Sequence, residues 1–394
     1  MHTLWLIARY GLVALVFTSA AHYVLWRWLR RSFPSAVERH RRWLVPLLGV
    51  LAASVLVRLG SYFFEFKAGE WLVGTIMIWH LTVGTLAIAA GLTYAVAWIW
   101  QRLRTSKATK PRTPLAPTPL PRRRLLEGAT GLMLLGGSGA ALGRGFVSTR
   151  FDVELVRISL KVPKLPRALD GFSIVQLSDL HVGTYFHGDE LAHAVELARR
   201  LRPDLYVVTG DVVDLNPIYA MGAGQALSAL KARHGVIAIL GNHDYYAGAD
   251  AILQGLRSAG IEVLVNASKR IEDGLVIAGL DDVAGEEREG GGPGPNVDEA
   301  LRDIDPKDVT VMLAHQPHLF EKTAGRIDVQ LSGHTHGGQI RAGFAPMQLL
   351  SPYISGRYDR AGSTMWVNRG LGVGGAPTRI GARPELTHIV LRSG

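Results

Sequence analysis

Cysteine is absent from all 394 residues. That excludes disulfides, thiolate metal sites, iron–sulfur clusters and a cysteine nucleophile. It fits an oxidising compartment but does not identify one. Acidic residues are nearly missing from the first 150 positions, where only Glu38, Glu65, Glu70 and Glu127 oppose 19 Lys and Arg. In residues 151–394 the balance reverses, with 24 Lys and Arg against 29 acids. The overall +10 charge therefore says nothing for a nucleic-acid-binding domain, because the excess lies in the apolar part.

That part also lacks charge over long stretches. Residues Tyr10–Trp26 carry none, and Trp43–Phe64 is interrupted only by Arg58. Trp71–Trp100 runs for 30 residues without a formal charge. A crossing needs about 20 apolar residues, so all three qualify. Buried soluble helices keep a polar stripe, which these lack. Trp26, Trp28, Trp43, Trp71, Trp98 and Trp100 gather at segment ends, where indole rings favour the bilayer interface.

Loop charges predict orientation. Arg27, Arg30, Arg31, Arg39, Arg41 and Arg42 lie between the first two spans, whereas Glu65, Lys67 and Glu70 follow the second. After the third come eight bases from Arg102 to Arg124 and no acid. The positive-inside rule places the first and third connections in the cytoplasm. The domain reading is then a three-helix transmembrane region over 1–104 and a Pro-rich basic linker over 105–121. A fourth hydrophobic segment follows over 122–150, and a catalytic domain over 151–394. In the fourth segment Gly128–Gly143 is 16 uncharged, Gly-rich residues after Arg122-Arg123-Arg124-Leu125-Leu126, which resembles a twin-arginine export signal. A plain fourth helix is the alternative. Either carries the chain outward, whereas a helix lying on the cytoplasmic face reverses the topology. No clear A-x-A cleavage site follows, which favours a retained anchor.

From residue 151 short apolar runs alternate with helical patterns, the texture of an α/β fold. Strands are predicted at Phe172–Leu177, Leu205–Thr209, Val236–Leu240, Ile261–Val265, Leu275–Leu280, Val309–Ala314, Val329–Ser332, Met365–Asn368 and Thr387–Leu391. Helices are predicted over Asp189–Leu201, near Gly222–Ala232, and over Ala249–Ala259. Glu286–Pro295 reads as a surface loop.

Five of these strands run into Asp, Asn or His. The ends read Ser178-Asp179-Leu180-His181, Gly210-Asp211-Val212-Val213-Asp214, Gly241-Asn242-His243-Asp244, His315-Gln316-Pro317 and Gly333-His334-Thr335-His336. Ligand sites in open α/β sheets gather outside the carboxyl ends of strands. If strand geometry persists, Asp179 and His181, or His334 and His336, face one side. One such end occurs by chance, and an Asp there is often a helix cap. Five together point to a divalent metal centre of mixed carboxylate, amide and imidazole ligands, suited to Mn, Fe or Zn.

The set Asp179-x-His181, Gly210-Asp211-x-x-Asp214, Gly241-Asn242-His243-Asp244, His315 and Gly333-His334-x-His336 resembles the calcineurin-like metallophosphoesterases, over about residues 170–394. With Asn368-Arg369-Gly370-Leu371-Gly372 it looks like their bacterial membrane-associated branch. The resemblance implies a four-layer (αββα) sandwich following the N-terminal α-helical transmembrane region. It implies two divalent metal ions, one held by Asp179, His181 and His336, the other by Asn242, His315 and His334, with Asp211 bridging. It makes His243 a catalytic histidine that is not a ligand, with Asp244 beside it to fix its tautomer, and leaves Asp214 structural, holding the loop or a ligand histidine. The reaction implied is attack of a metal-bridging hydroxide on a phosphoester. Leu215 stands where phosphoprotein phosphatases carry Arg, which disfavours a phosphoprotein substrate.

Arg369 and Arg379 are candidates for binding a second phosphate or for salt bridges. The remaining histidines have no motif support. A lipid-linked or envelope phosphoester is the expected substrate, because the anchor keeps the site near the bilayer. Monoester, diester and pyrophosphate remain open. A cytoplasm-facing domain would instead suit a pyrophosphatase of a nucleotide-linked lipid intermediate. A nuclease fits poorly with the acidic second half, and a non-enzymatic membrane module fits poorly with a full ligand set. The expected location is the bacterial inner membrane, with the catalytic domain outside.

Overall fold

The computed structural model describes residues 2–63, 69–104, 121–286, 292–341, 346–349 and 351–394. The linker read at 105–121 therefore lies outside the described residues except for Pro121, as do residues 287–291 of the predicted surface loop. Contacts divide the chain into two units, Met1–Arg144 and Gly145–Gly394.

The first unit is helical: α1 (His2–Ser32), α2 (Pro34–Ala53), α3 (Val55–Phe63), α4 (Glu70–Arg104) and most of α5 (Pro121–Val147). Leu25, Leu48, Val83 and Leu86 meet in its small core, and Arg31 pairs with Glu127 at 2.6 Å. Among the described residues, four helical stretches are long and apolar enough to cross a membrane: Gly11–Ser32, Pro34–Arg58, Glu70–Leu103 and Leu125–Phe151. At most 28% of any of these windows is buried, so their apolar surface is largely uncovered by protein. The structure departs from the sequence reading at residues 27–42, taken there as a loop. They are helical except at Phe33, because Pro34 at the first turn breaks one helix and starts the next.

Among the described residues, the second unit holds twelve strands in two six-stranded sheets. In the first, the order is β1 (Glu154–Val162), β12 (Glu385–Ser393), β2 (Ser173–Leu177), β3 (Leu205–Thr209), β4 (Val236–Ile239) and β5 (Glu262–Val263). In the second it is β10 (Gly356–Arg360), β11 (Ser363–Val367), β9 (Val329–Ser332), β8 (Val309–Leu313), β7 (Leu275–Gly279) and β6 (Ala267–Glu272). Strands β2 to β5 are mutually parallel, as are β7, β8, β9 and β11, while β12, β10 and β6 each make an antiparallel pair.

The alternation of side chains along each strand separates three cores. Ile174, Leu205, Val207, Ile237 and Ile239 of the first sheet share one with Ile277, Val309, Val311, Leu313, Val329 and Leu331 of the second. Val175, Tyr206, Val208 and Ala238 turn the other way, onto α6 (Gly188–Arg199), α7 (Ala220–Leu227) and α9 (Ala249–Ser258). The short α8 (Asn242–Ala247) precedes α9. Ala278, Met312 and Ala314 of the second sheet meet Val297 and Ala300 of α10 (Val297–Leu301), a thinner cover. The last helix, α11 (Phe320–Thr323), is a single turn. Burying one such Ile or Leu contributes about 1.5–3 kcal/mol. These cores hold fixed the strand ends from which the site is built.

Candidate metal centre

The five strand ends singled out in the sequence converge. β2 delivers Asp179 and His181, β3 delivers Asp211, and β8 and β9 deliver His315, His334 and His336. After β4 the chain passes Gly241 and enters α8 at Asn242. Asp179, His181, Asp211 and His315 are almost fully buried.

Strand geometry does not persist into these residues, contrary to the expectation of alternating faces. Asp179, His181, Asp211, His334 and His336 all have positive φ, between 48° and 71°. Left-handed backbone is costly for L-residues and gathers at functional sites held by their surroundings. Here it turns each side chain inward as the chain leaves the sheet. Two glycines allow the loops to close: a Cβ on Gly241 would stand 2.3 Å from Asp211 Oδ1, and one on Gly333 2.2 Å from Asp179 Oδ2.

The polar atoms fall into linked groups. His336 Nε2 lies 3.0 Å from His181 Nε2 and 3.6 Å from Asp179 Oδ1. His315 Nε2 lies 3.2 Å from Asn242 Oδ1 and 3.3 Å from His334 Nδ1. Asp211 Oδ2 stands between the groups, 3.4 Å from His181 Nε2 and 3.2 Å from His315 Nε2. Its other oxygen accepts the His243 N–H at 2.8 Å. Asp179/His181/His336, Asp211/His315/His334 and His181/Asp211/His243 each bring ligand atoms within 4.8 Å of one another.

The donor set fits a cation. His315 Nδ1 faces the Thr209 carbonyl at 2.8 Å, so Nδ1 carries a proton and Nε2 is turned toward two oxygens, those of Asn242 and Asp211. Burial opposes charge on this ring, but Asp211 and Asp179 beside it raise its pKa well above the usual imidazole range. Asp179 Oδ2 is buried and makes no hydrogen bond. Burial opposes charge on Asp211, but the imidazoles of His315, His181 and His243 outweigh it and hold the carboxyl well below its usual range. Burial pushes Asp179 up, and burial with His315 beside it pulls His334 down to about 3.

Around this cluster Asp244 and Arg379 take places other than those expected. Asp244 does not reach the His243 ring: its Oδ1 accepts the Val212 and Val213 N–H groups at 2.9 and 3.2 Å, and its Oδ2 that of Gly241 at 2.9 Å. A side chain at the start of α8 is aimed at backbone amides, not at its neighbour's ring. Asp214 stands beside that ring, its backbone carbonyl 3.0 Å and its Oδ1 3.1 Å from His243 Nδ1. Burial would lower the His243 pKa, but Asp214 and Asp211 raise it to about 9. Arg379 is fully buried and donates to the carbonyls of Arg369, Gly370, Gly372 and Ala382, with Nη2 3.2 Å from His336 Nδ1. Arg369 pairs with Glu385 and Glu154. Neither arginine is placed to take a second phosphate.

The sequence reading also missed a sixth strand end. β7 leads into Asp281-Asp282, and Asp282 accepts from the Gln316 amide at 3.0 and 3.1 Å, bracing the residue after His315. The signal was the Asp pair directly after the strand predicted at Leu275–Leu280.

The Calcineurin-like phosphoesterase family profile matches residues 172–338. An uncharacterized metallophosphoesterase of Bacillus subtilis is 32% identical over 286 residues, which are 69% of this chain and 98% of that protein. A transmembrane protein with metallophosphoesterase domain from Danio rerio is 34% identical over 259 residues, 63% of this chain. The match spans 59% of the fish protein, less than two thirds of its length. A solved dimetal phosphatase from Danio rerio, 14% identical, covers 51% of this chain and 88% of its own, with a TM-score of 0.37.

Proposed function

Because the chain belongs to the calcineurin-like metallophosphoesterase family, we propose that it is a membrane-anchored hydrolase that uses two divalent metal ions to cleave an envelope or lipid-linked phosphoester. Asp179, His181 and His336 would hold one ion, and Asn242, His315 and His334 the other, with Asp211 shared. The observation that carries this is Asp211, whose single Oδ2 faces ligand atoms of both groups, His181 at 3.4 Å and His315 at 3.2 Å. Mixed N and O donors suit Mn, Fe or Zn. Two such ions, when bound, activate water and neutralise charge on a phosphoryl group.

The chain's own residues do the rest. Asp214 engages His243 Nδ1, which leaves Nε2 to hold a proton for the departing oxygen. Asp244 fixes the backbone of the Asp211 and Asn242 loops through three N–H groups. The apolar helices of the first unit supply the anchor. The proposed location is the inner membrane of a bacterium, with the second unit on the outer side.

The reading is tested by Asp211→Asn. The purified variant is expected to stay folded by circular dichroism while losing both bound metal and hydrolysis of an aryl phosphate. Two equivalents of metal and undiminished turnover would overturn the assignment.

A further inference from the structure

Downstream of Phe151, the large hydrophobic side chains exposed among the described residues are Ile218, Tyr219, Met221, Tyr246 and Leu349. Four of the five border the metal centre. The Tyr246 ring stands 5.5 Å from that of His243. Tyr219 and Asp214 both border Gly183, where an added Cβ would lie 4.0 Å from Tyr219 Cε2 and 3.1 Å from Asp214 Cβ. Ile218 precedes Tyr219 in the same turn, Pro217–Tyr219. Leu349 ends the turn Pro346–Leu349, which packs against the His336–Gly338 turn of the centre. Only Met221 is set apart, against Ser258.

Their exposure is high for apolar groups beside a polar centre: 63% for Ile218, 80% for Leu349, 39% for Tyr219 and 42% for Tyr246. The charge around them is equally one-sided. Residues 203–230 contain three Asp and no Lys, Arg or His, and between His243 and Arg257 there is no base. Arg369 and Arg379 are committed to Glu385, Glu154 and backbone carbonyls. These two stretches offer no cation to a second phosphate or a polyanion, whereas an alkyl chain would cover apolar surface that water now meets.

Resting on the phosphoesterase reading, we infer that Ile218, Tyr219, Tyr246 and Leu349 form the specificity surface for the hydrophobic chain of an amphipathic phosphoester. With the phosphoryl group held at the metal centre, its substituent leaves across these side chains. They grip the first methylenes after the ester oxygen and set which substrates bind.

The test is binding of linear alkylphosphonates, methyl to heptyl, to the full chain in detergent with manganese added, measured by calorimetry. Affinity is expected to rise about twofold per methylene, as for a chain roughly half covered. The double variant Ile218→Ser with Leu349→Ser, both exposed and safe for folding, is expected to flatten that rise while leaving methylphosphonate affinity within about twofold. Equal affinity along the wild-type series, or an undiminished rise in the variant, overturns the inference and leaves the metal-centre reading intact. Tighter binding of a nucleoside phosphonate than of heptylphosphonate, lost on Tyr219→Ala or Tyr246→Ala, overturns it in favour of base stacking. No binding by any phosphonate overturns both readings.

Discussion

Asp214 Oδ1 lies 3.1 Å from His243 Nδ1 and 3.7 Å from His181 Nδ1, so one buried carboxylate faces two imidazoles of the centre, while the Asp214 backbone carbonyl stands 3.0 Å from His243 Nδ1. The two histidine rings meet edge to face, 4.5 Å apart. Asp214 therefore couples the orientation of a proposed metal ligand to that of the proposed proton donor, and its removal should disturb both.

His243→Asn is expected to retain bound metal and to slow hydrolysis by about 10²–10⁴, the usual worth of a positioned acid–base group. Asp214→Asn should cost less, about 10–100-fold, as is usual for a group that orients metal ligands without binding the metal. Metal analysis beside steady-state rates separates the two. Loss of metal in His243→Asn would make His243 a ligand, which its place in the His181–Asp211–His243 group also allows geometrically.

Asp244 has a different task and a different signature. Replacing it by Ala leaves the N–H groups of Val212, Val213 and Gly241 without their acceptor. Each buried amide left unpaired costs about 1–3 kcal/mol, so Asp244→Ala should lower the unfolding temperature of the second unit markedly, with or without metal. Thermal denaturation followed by circular dichroism checks this. An unchanged midpoint would mean that water satisfies these amides.

The interior strands and the ligand types could be read from the sequence because each depends on local pattern. β4 and β7 are continuous apolar runs with both faces buried. The Asp, Asn and His residues that follow such runs are conspicuous by type. The missed strands β1, β6 and β10 all sit at sheet edges, where polar residues such as Lys269, Arg270 and Asp359 are tolerated and blur the pattern. The place of Asp244 was not legible because it depends on backbone direction. Asp244 lies next to His243 in sequence, yet the start of α8 turns its carboxylate to the amides of neighbouring loops. The burial of Arg379 likewise depends on carbonyls brought together by the loop after Asn368.

Metal removal should weaken the second unit. The ligand residues combine left-handed backbone with buried, crowded lone pairs, and a bound ion offsets both costs. An ion at 100 times its Kd stabilises by about 2.7 kcal/mol, about 5–10 °C for a unit of this size. Chelation is expected to lower the midpoint by that order, and manganese or zinc to restore it. In Asp211→Asn the chelator should have little effect, and an undiminished effect there would place the ion elsewhere.

The side of the membrane is decided by the fourth apolar helix. If Gly11–Ser32, Pro34–Arg58 and Glu70–Leu103 all cross, the arginines flanking Phe33 and those after residue 101 lie in the cytoplasm by the positive-inside rule. Leu125–Phe151 is then the step that carries the second unit out. Its uncharged core, Gly128–Gly143, is only 16 residues against the ~17–25 of ordinary spans. A twin-arginine segment would be recognised by export machinery as well as by the bilayer, and two conservative changes separate the cases. Arg122→Lys with Arg123→Lys keeps the positive charge, so a plain helix still inserts, whereas twin-arginine recognition fails. Asp298, with 87% of its side chain exposed, is a suitable site for a reporter, since the chain has no cysteine to interfere. Asp298→Cys should react with an impermeant thiol reagent in intact spheroplasts. Labelling lost in the double-lysine variant identifies twin-arginine export, and labelling retained identifies a plain fourth span. Labelling only after lysis, in both, would put the metal centre in the cytoplasm and overturn the outward placement.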